Sequence, residues 1–501
     1  MTMRTDKGRK ANERLRAVMD EAGCSNTGLA RRVNVCGAEH GLDLRYDKTS
    51  VARWLRGQQP RGRVPAVIAE ALERKLGRPV SVDDIGMATE SGVPTVAGLR
   101  FESAWPEVLR QVCTLWRQDA VDAASLSRQR LAVSVLVQPS RDWLIADRDL
   151  AIARQGLPAV GEGDTTAVRA TTAALADLDH RHGGHHVRPL AVSYLDGVVS
   201  GFLTGSYGEA SGRLLAGAAA RLTELAGYMA DDTGRPGLAQ RYYIQALRLA
   251  HAADDRAFGA YVLASGMSQT ALALGNPTEA VQLTRVAREG ARGSCPAAVE
   301  ALSYASEARG HAMLADAGAS DRAAARALEA MERAASAQDA DPAVAVDLSR
   351  VAEELAWCSL DLDRSATAAK WAREALQSCP PDRTRRRTLR QLLVASVQLR
   401  LGDVDTGWDM ARRAVEGLDS LRSSQCDEAL DTFRDRLRGL GRTEQAESLR
   451  APHERNVLAA ERPPLAAPPA PRSYGSSGQH RNDQRICAPR PPAPREHRAP
   501  A

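Results

Sequence analysis

The sequence predicts an all-α protein in three parts: a compact helical head, a long helical body and a disordered Pro/Arg-rich tail. Three observations lead there. Aromatic residues make up only 4% of the 501-residue chain while Ala, Leu and Arg dominate, a composition that favours helices over a β-sandwich or barrel. Apolar residues recur at helical spacing through 12–78 and again from about 105 to 450. The last 51 residues hold 11 of the 25 prolines, in runs such as PPLAAPPAPR and RPPAPR, and such a segment cannot bury a core.

The head reads as four helices. In NERLRAVMDEA (12–22), Leu15, Val18, Met19 and Ala22 share one face, and Gly23 ends the helix. Ser25 is a good N-cap for a second helix over 26–33, with Leu29, Ala30 and Val33 turned inward. A third helix over 49–56 carries Val51 and Trp54 inward and is closed by Gly57. The fourth, 64–76, has Pro65 in its first turn and buries Ile68, Ala69, Leu72 and Leu76. Between the second and third helices lies the stretch NVCGAEHGLDLRY (34–46), read as a loop or short helix.

Charge divides along the same lines. Residues 1–80 hold 17 Lys and Arg against 9 Asp and Glu, whereas 81–450 hold 42 against 49. A basic head on an acidic body suggests a polyanion partner for the head, here double-stranded DNA. A short helix fits the major groove, and residues at its N-terminal end reach base edges. That assigns base reading to Lys48, Thr49, Ser50 and Arg53, with Arg53 able to form a bidentate contact to guanine. Arg31, Arg45, Arg56, Arg61 and Arg63 are cast as phosphate contacts, joined by the helix start at Ser25 and Asn26; His40 is a further candidate. A four-helix bundle without DNA contact is the plainer alternative.

CSNTGLARRV followed by KTSVARWLRG resembles the phage-repressor (Cro) type of helix-turn-helix, with Leu29, Ala30, Val33, Val51, Trp54 and Gly57 on its pattern. The resemblance implies that Lys48, Thr49 and Arg53 read bases. The family has a very short turn where this chain has 34–46.

In the body, LAGYMADDTGRPGLAQRYYIQALRLA (225–250) reads as two amphipathic helices joined at Gly234 to Pro236. Gly227, Ala239, Tyr243 and Ala246 fall where a tetratricopeptide repeat packs small and aromatic residues. Similar second helices recur at Ala280, Ala324, Ala368 and Gly407, at spacings of 41, 44, 44 and 39, so the repeats are degenerate and long. Stacked, they build a superhelix whose groove takes a peptide or protein segment, and a homodimer is expected. A generic helical bundle is the alternative. The resulting layout is a helix-turn-helix domain over 1–85, a linker over 86–104, a helical region over 105–220 with breaks at Pro139, 156–163 and 183–184, tetratricopeptide-like repeats over 221–450 and the tail over 451–501.

Several classes are excluded at this level. No stretch of 18 residues is apolar and uncharged, and the first 16 residues are polar and basic, so neither a membrane span nor a signal peptide is expected and the protein is placed in the cytoplasm. The eight cysteines are scattered and read as reduced thiols. No nucleotide-binding, hydrolase or metalloprotease motif stands in a credible context, so no enzyme and no cofactor are expected. His180, His182, His185 and His186, after Asp177 and Asp179, are dense enough to suggest zinc or nickel, but Gly183 and Gly184 read as a flexible loop and no metal is assigned. Trp105, Trp116, Trp143, Trp357, Trp371 and Trp408 read as core.

LRYDKTSVARWLRGQQPRGR, PSRDWLI (139–145) and the 225–250 string together are similar to a set of actinobacterial regulators that includes negative regulators of sporulation and antibiotic production in streptomycetes. The near-replacement of Lys by Arg (five lysines in all) fits a GC-rich genome. The resemblance implies a transcriptional regulator, with repression the expected sign. An interaction scaffold whose head does not read DNA is the second reading.

Overall fold

The fold is set by how the ends of each helix are tied. The computed structural model describes residues 11–39, 44–58, 60, 64–76, 80, 82, 84–87, 97–127, 134–149, 151–335, 346–418 and 420–449. All regular structure among them is helical, apart from two isolated bridges, Arg154 with Tyr207 and Ala159 with Ser206. The tail over 451–501, Arg61, Arg63 and His40 lie outside the described residues.

The head contains α1 (Glu13–Glu21), α2 (Asn26–Glu39), α3 (Lys48–Leu55) and α4 (Val64–Leu76). Asn12 caps α1 by accepting from Leu15 N at 3.0 Å and donates to Ile85 O at 2.9 Å, fastening the two ends of the head together. The second helix is six residues longer than its expected end at 33, so the first six residues of the presumed insert are helix. Its return is latched by Asn34, whose amide donates to Tyr46 O and accepts from Tyr46 N, both at 2.9 Å. Leu15, Leu29, Val33, Val51, Ile68 and Leu72 are fully buried in a core separate from that of the body.

The body opens with α5 (Trp105–Ser127), α6 (Ser134–Ile145) and α7 (Glu162–His182). Pro139 lies inside α6 and does not break the chain as expected. The helix α8 (184–203) widens into a π-turn over Leu195–Val199. His180 to His186 is therefore no flexible loop: His180 and His182 end α7, His185 and His186 open α8, and only Gly183 stands between, at φ 82°. A side chain at Gly183 would place Cβ 2.2 Å from Arg422 O, so the junction is fixed by packing.

Helix pairs follow: α9 (Glu209–Asp232) with α10 (Pro236–Ala252), α11 (256–273, with a π-turn at Leu263–Met267) with α12 (Pro277–Gly290), and α13 (Ala297–Met313) with α14 (Ala317–Ala335). They continue as α15 (Leu348–Asp361) with α16 (Ser365–Gln377), α17 (Thr384–Arg400) with α18 (Val404–Glu416), and α19 (Ser424–Gly439) with α20 (Thr443–Ser448). Every pair turns in the same way. A residue in the left-handed region stands at Gly234, Gly275, Ala315, Asp363, Gly402 and Gly441. The N–H after it bonds back five residues, as in Arg235 N to Ala230 O and Asp403 N to Gln398 O, both 3.0 Å. Gly227, Ala239, Tyr243 and Ala246 are all buried, and Tyr243 lies between Gly227 and Gly266, where an added Cβ would come within 3.1 and 2.5 Å of its ring.

Residues 97–104, read as linker, are held along α10 instead. Arg241 donates to Ala97 O, Gln245 to Gly98 O and Arg100 O at 3.0 Å each, and Arg248 to Ser103 O at 3.1 Å. The spacing of those three side chains puts them on one helical stripe. Trp105, Trp116 and Trp143 are buried as expected, but Trp357, Trp371 and Trp408 are half-buried.

The helix pairs close on themselves. Arg385 at the start of α17 pairs with Asp179 of α7 and Asp232 of α9, Arg422 N donates to His182 O at 3.0 Å, and Gln425 donates to Asp231 at 3.2 Å. The first helices of the pairs face inward, and α7 completes the ring around a central cavity.

Candidate nucleic-acid interface

The third helix of the head is built to show one edge. Asp47, in extended backbone at φ −127°, accepts from Ser50 N at 2.8 Å and starts the helix. That N–H keeps the Asp47 carboxyl below its usual range. Val51 and Trp54, three apart, are buried against α2, and Tyr46 stacks edge-on against Trp54 at 5.0 Å. Lys48, Thr49 and Arg53 are left on the exposed side. Arg53 reaches back to Ser50 Oγ at 3.4 Å.

Ser50 does not join them. It is only 6% exposed, and its hydroxyl donates to Asp47 at 2.9 Å, so it belongs to the helix cap and is withdrawn from base reading. Arg56 is exposed at the C-terminal end of α3 and donates to Ala52 O at 3.2 Å. Ser25 accepts from Gly28 N at 3.2 Å as the expected cap of α2, Asn26 is half-buried beside it, and Arg31 and Arg45 are exposed. Leu29, Ala30 and Val33 lie in the core at 3% exposure or less.

Two features were missed in the sequence. Asp47 directly before Lys48 carries the pattern of a cap, but the expected helix start at 49 hid it. The Asn34–Tyr46 latch joins the two ends of the presumed insert and sets how the chain enters α3. Lys75 of α4 donates to Gly23 O at 2.8 Å and so is engaged in the fold.

A match to the family described as the SP15 N-terminal domain covers residues 15–88, the span that contains the whole apolar core of the head. No curated protein matches the chain.

Proposed function

We propose that this protein is a DNA-binding transcriptional regulator whose head reads double-stranded DNA through α3. The observation that carries the reading is the division of that helix: Val51 and Trp54 are buried, while Lys48, Thr49 and Arg53 stand exposed on its other side. The excess of basic residues in 1–80 supports it, since cations near phosphates release counterions on binding. In this reading Arg53 reads a base, Lys48 and Thr49 read bases or hold the adjacent backbone, and Arg31, Arg45 and Arg56 meet phosphates with the capped start of α2 at Ser25 and Asn26. Acting as a homodimer in the cytoplasm, it binds a pseudo-palindromic operator and represses developmental or secondary-metabolic genes, as the resemblance of its long sequence strings implies. No helix among the described residues is long and apolar enough to cross a membrane.

The test is selection of random duplexes by the purified full chain, with Arg53→Ala alongside, at two salt concentrations. A motif enriched by the wild type and relaxed at one base pair in the variant is expected, with a loss of about 1–3 kcal/mol at the cognate site. Equal loss on every sequence reduces Arg53 to a phosphate contact. Salt-insensitive absence of any duplex binding leaves the scaffold reading in its place.

A further inference from the structure

The ring of the body encloses a cavity of about 310 Å³, inside the range of small-molecule sites. Its wall is polar. One part is already satisfied: Glu354 accepts from Gln269 at 2.8 Å and from Arg309 at 3.3 Å, and the Arg309 guanidinium lies 5.2 Å from the centre of the Trp357 ring. Another part is not. Glu224 of α9 is 8% exposed and makes no hydrogen bond or close ion pair among the described residues. The guanidinium of Arg350, on α15, makes none either. Ser265 Oγ, on the π-turn of α11, is buried with no partner. A buried hydroxyl such as Ser265 Oγ is usually paired in folded proteins, and leaving it unpaired costs about 1–3 kcal/mol.

Charge selects the occupant. Glu224 and Asp231 lie on α9, whereas Arg350 and Arg386 come from α15 and α17. Arg350 and Arg386 are near enough to Glu224 to act on its charge, yet neither bonds to it. With four carboxylates (Glu224, Asp231, Glu353, Glu354) and four guanidinium groups (Arg221, Arg309, Arg350, Arg386) in the lining, a purely anionic guest would set its charge near carboxylates and a purely cationic one near guanidinium groups. A guest with one charge of each sign satisfies both.

We propose that this cavity is a binding site for a small dipolar molecule of free amino acid or dipeptide size, its ammonium on Glu224, its carboxylate on Arg350, and a polar group of the guest on Ser265. The site rests on the body alone and stands whether or not the head reads DNA. Its floor is prepared by the Arg309–Glu354–Gln269 network, so binding orders little that is not already fixed.

The test is calorimetric titration and thermal unfolding of the full chain with the common L-amino acids and glycyl dipeptides, each beside its N-acetylated and C-amidated form. One or more free dipolar compounds should bind one per chain and raise Tm, and blocking either end should weaken binding about tenfold or more. Glu224→Gln and Arg350→Met should each reproduce the loss of the matching end. Ser265→Ala, which removes only an unpaired hydroxyl, should not lower the Tm of the empty protein and should still weaken binding severalfold. Failure of every dipolar compound, equal binding of the blocked forms, or binding only of peptides too long for the cavity would overturn the proposal.

Discussion

Arg385 grips Asp179 across 206 positions of chain, through hydrogen bonds of 2.9 and 2.5 Å with both side chains at 1% exposure or less. The same guanidinium bonds Asp232 at 2.9 Å, so one cation serves two buried carboxylates. Burial raises the pKa of Asp179 and the Arg385 charge opposes that rise. The pair joins α17 to α7 and α9 and so holds the ring shut.

Arg385→Met should therefore be the most damaging change in the body. It strands two carboxylates in a dry site, at a cost of about 3–5 kcal/mol. Asp179→Asn should cost clearly less, because Arg385 keeps Asp232. Urea unfolding of both variants checks this; equal losses would show that the guanidinium is not shared.

Asn34 should matter to the head in the same way. Asn34→Ala removes both bonds to Tyr46 and leaves a part-buried backbone N–H and C=O to find water, at about 1–3 kcal/mol. On the proposed function, the variant should also bind all duplexes more weakly without a changed preference. Hydrogen exchange at the Tyr46 amide and duplex titration check the two parts; an unchanged exchange rate refutes the first.

Trp143 gives a third expectation. Its ring is buried between Gly259 and Gly290, where an added Cβ would fall 2.8 and 2.2 Å from ring atoms. Arg256 holds the other side, 5.0 Å from the ring centre and donating to Trp143 O at 2.6 Å. Gly290→Ala should cost about 1–3 kcal/mol by overpacking, and Trp143→Leu introduced with it should recover part of that loss. Chemical unfolding of the single and double variants decides; simple additivity would mean that the ring is not what the new methyl meets.

The head was nearly complete in the sequence because its caps and stops are local. Ser25, Gly23 and Gly57 act within a turn of where they stand, and α4 has the bounds read from its periodicity. Helix 2 continues through Gly37 to Glu39, six residues past its expected end, within the stretch 34–46 that reads from sequence as a loop or short helix. Ser50 was misassigned because its spacing from Arg53 says nothing about the Asp47 carboxylate that draws its hydroxyl inward. In the body, small residues at Gly227, Ala239 and Ala246 revealed the paired helices. The ring did not show. Its closure depends on Asp179 meeting Arg385, and nothing local distinguishes either from the many surface charges of the same kind. The cavity groups were hidden for the same reason: Glu224 and Arg350 come together only when the ring is shut.

The unpartnered carboxylate of Glu224 makes the last expectation one of pH. Burial, opposed by Arg350 and Arg386, raises it from an ordinary 4.5 to about 7. Asp231 rises to about 6, through burial and then the charges of Asp232 and Glu428. A raised carboxyl holds a proton in the folded chain that the unfolded chain has released, so stability is greatest below the unfolded value and is lost as pH climbs through the folded one. For Glu224 the window is 4.5 to about 7, and the full effect is on the order of 3 kcal/mol. Glu224→Gln carries no proton to lose. The variant should show a flatter decline across this window and should exceed the wild type in stability at about pH 8, where the wild type keeps a buried carboxylate. Urea midpoints for both proteins from about pH 5 to 8 measure it. An identical slope in the two would place the titrating group elsewhere; a steeper slope in the variant would reverse the sign assigned to Glu224.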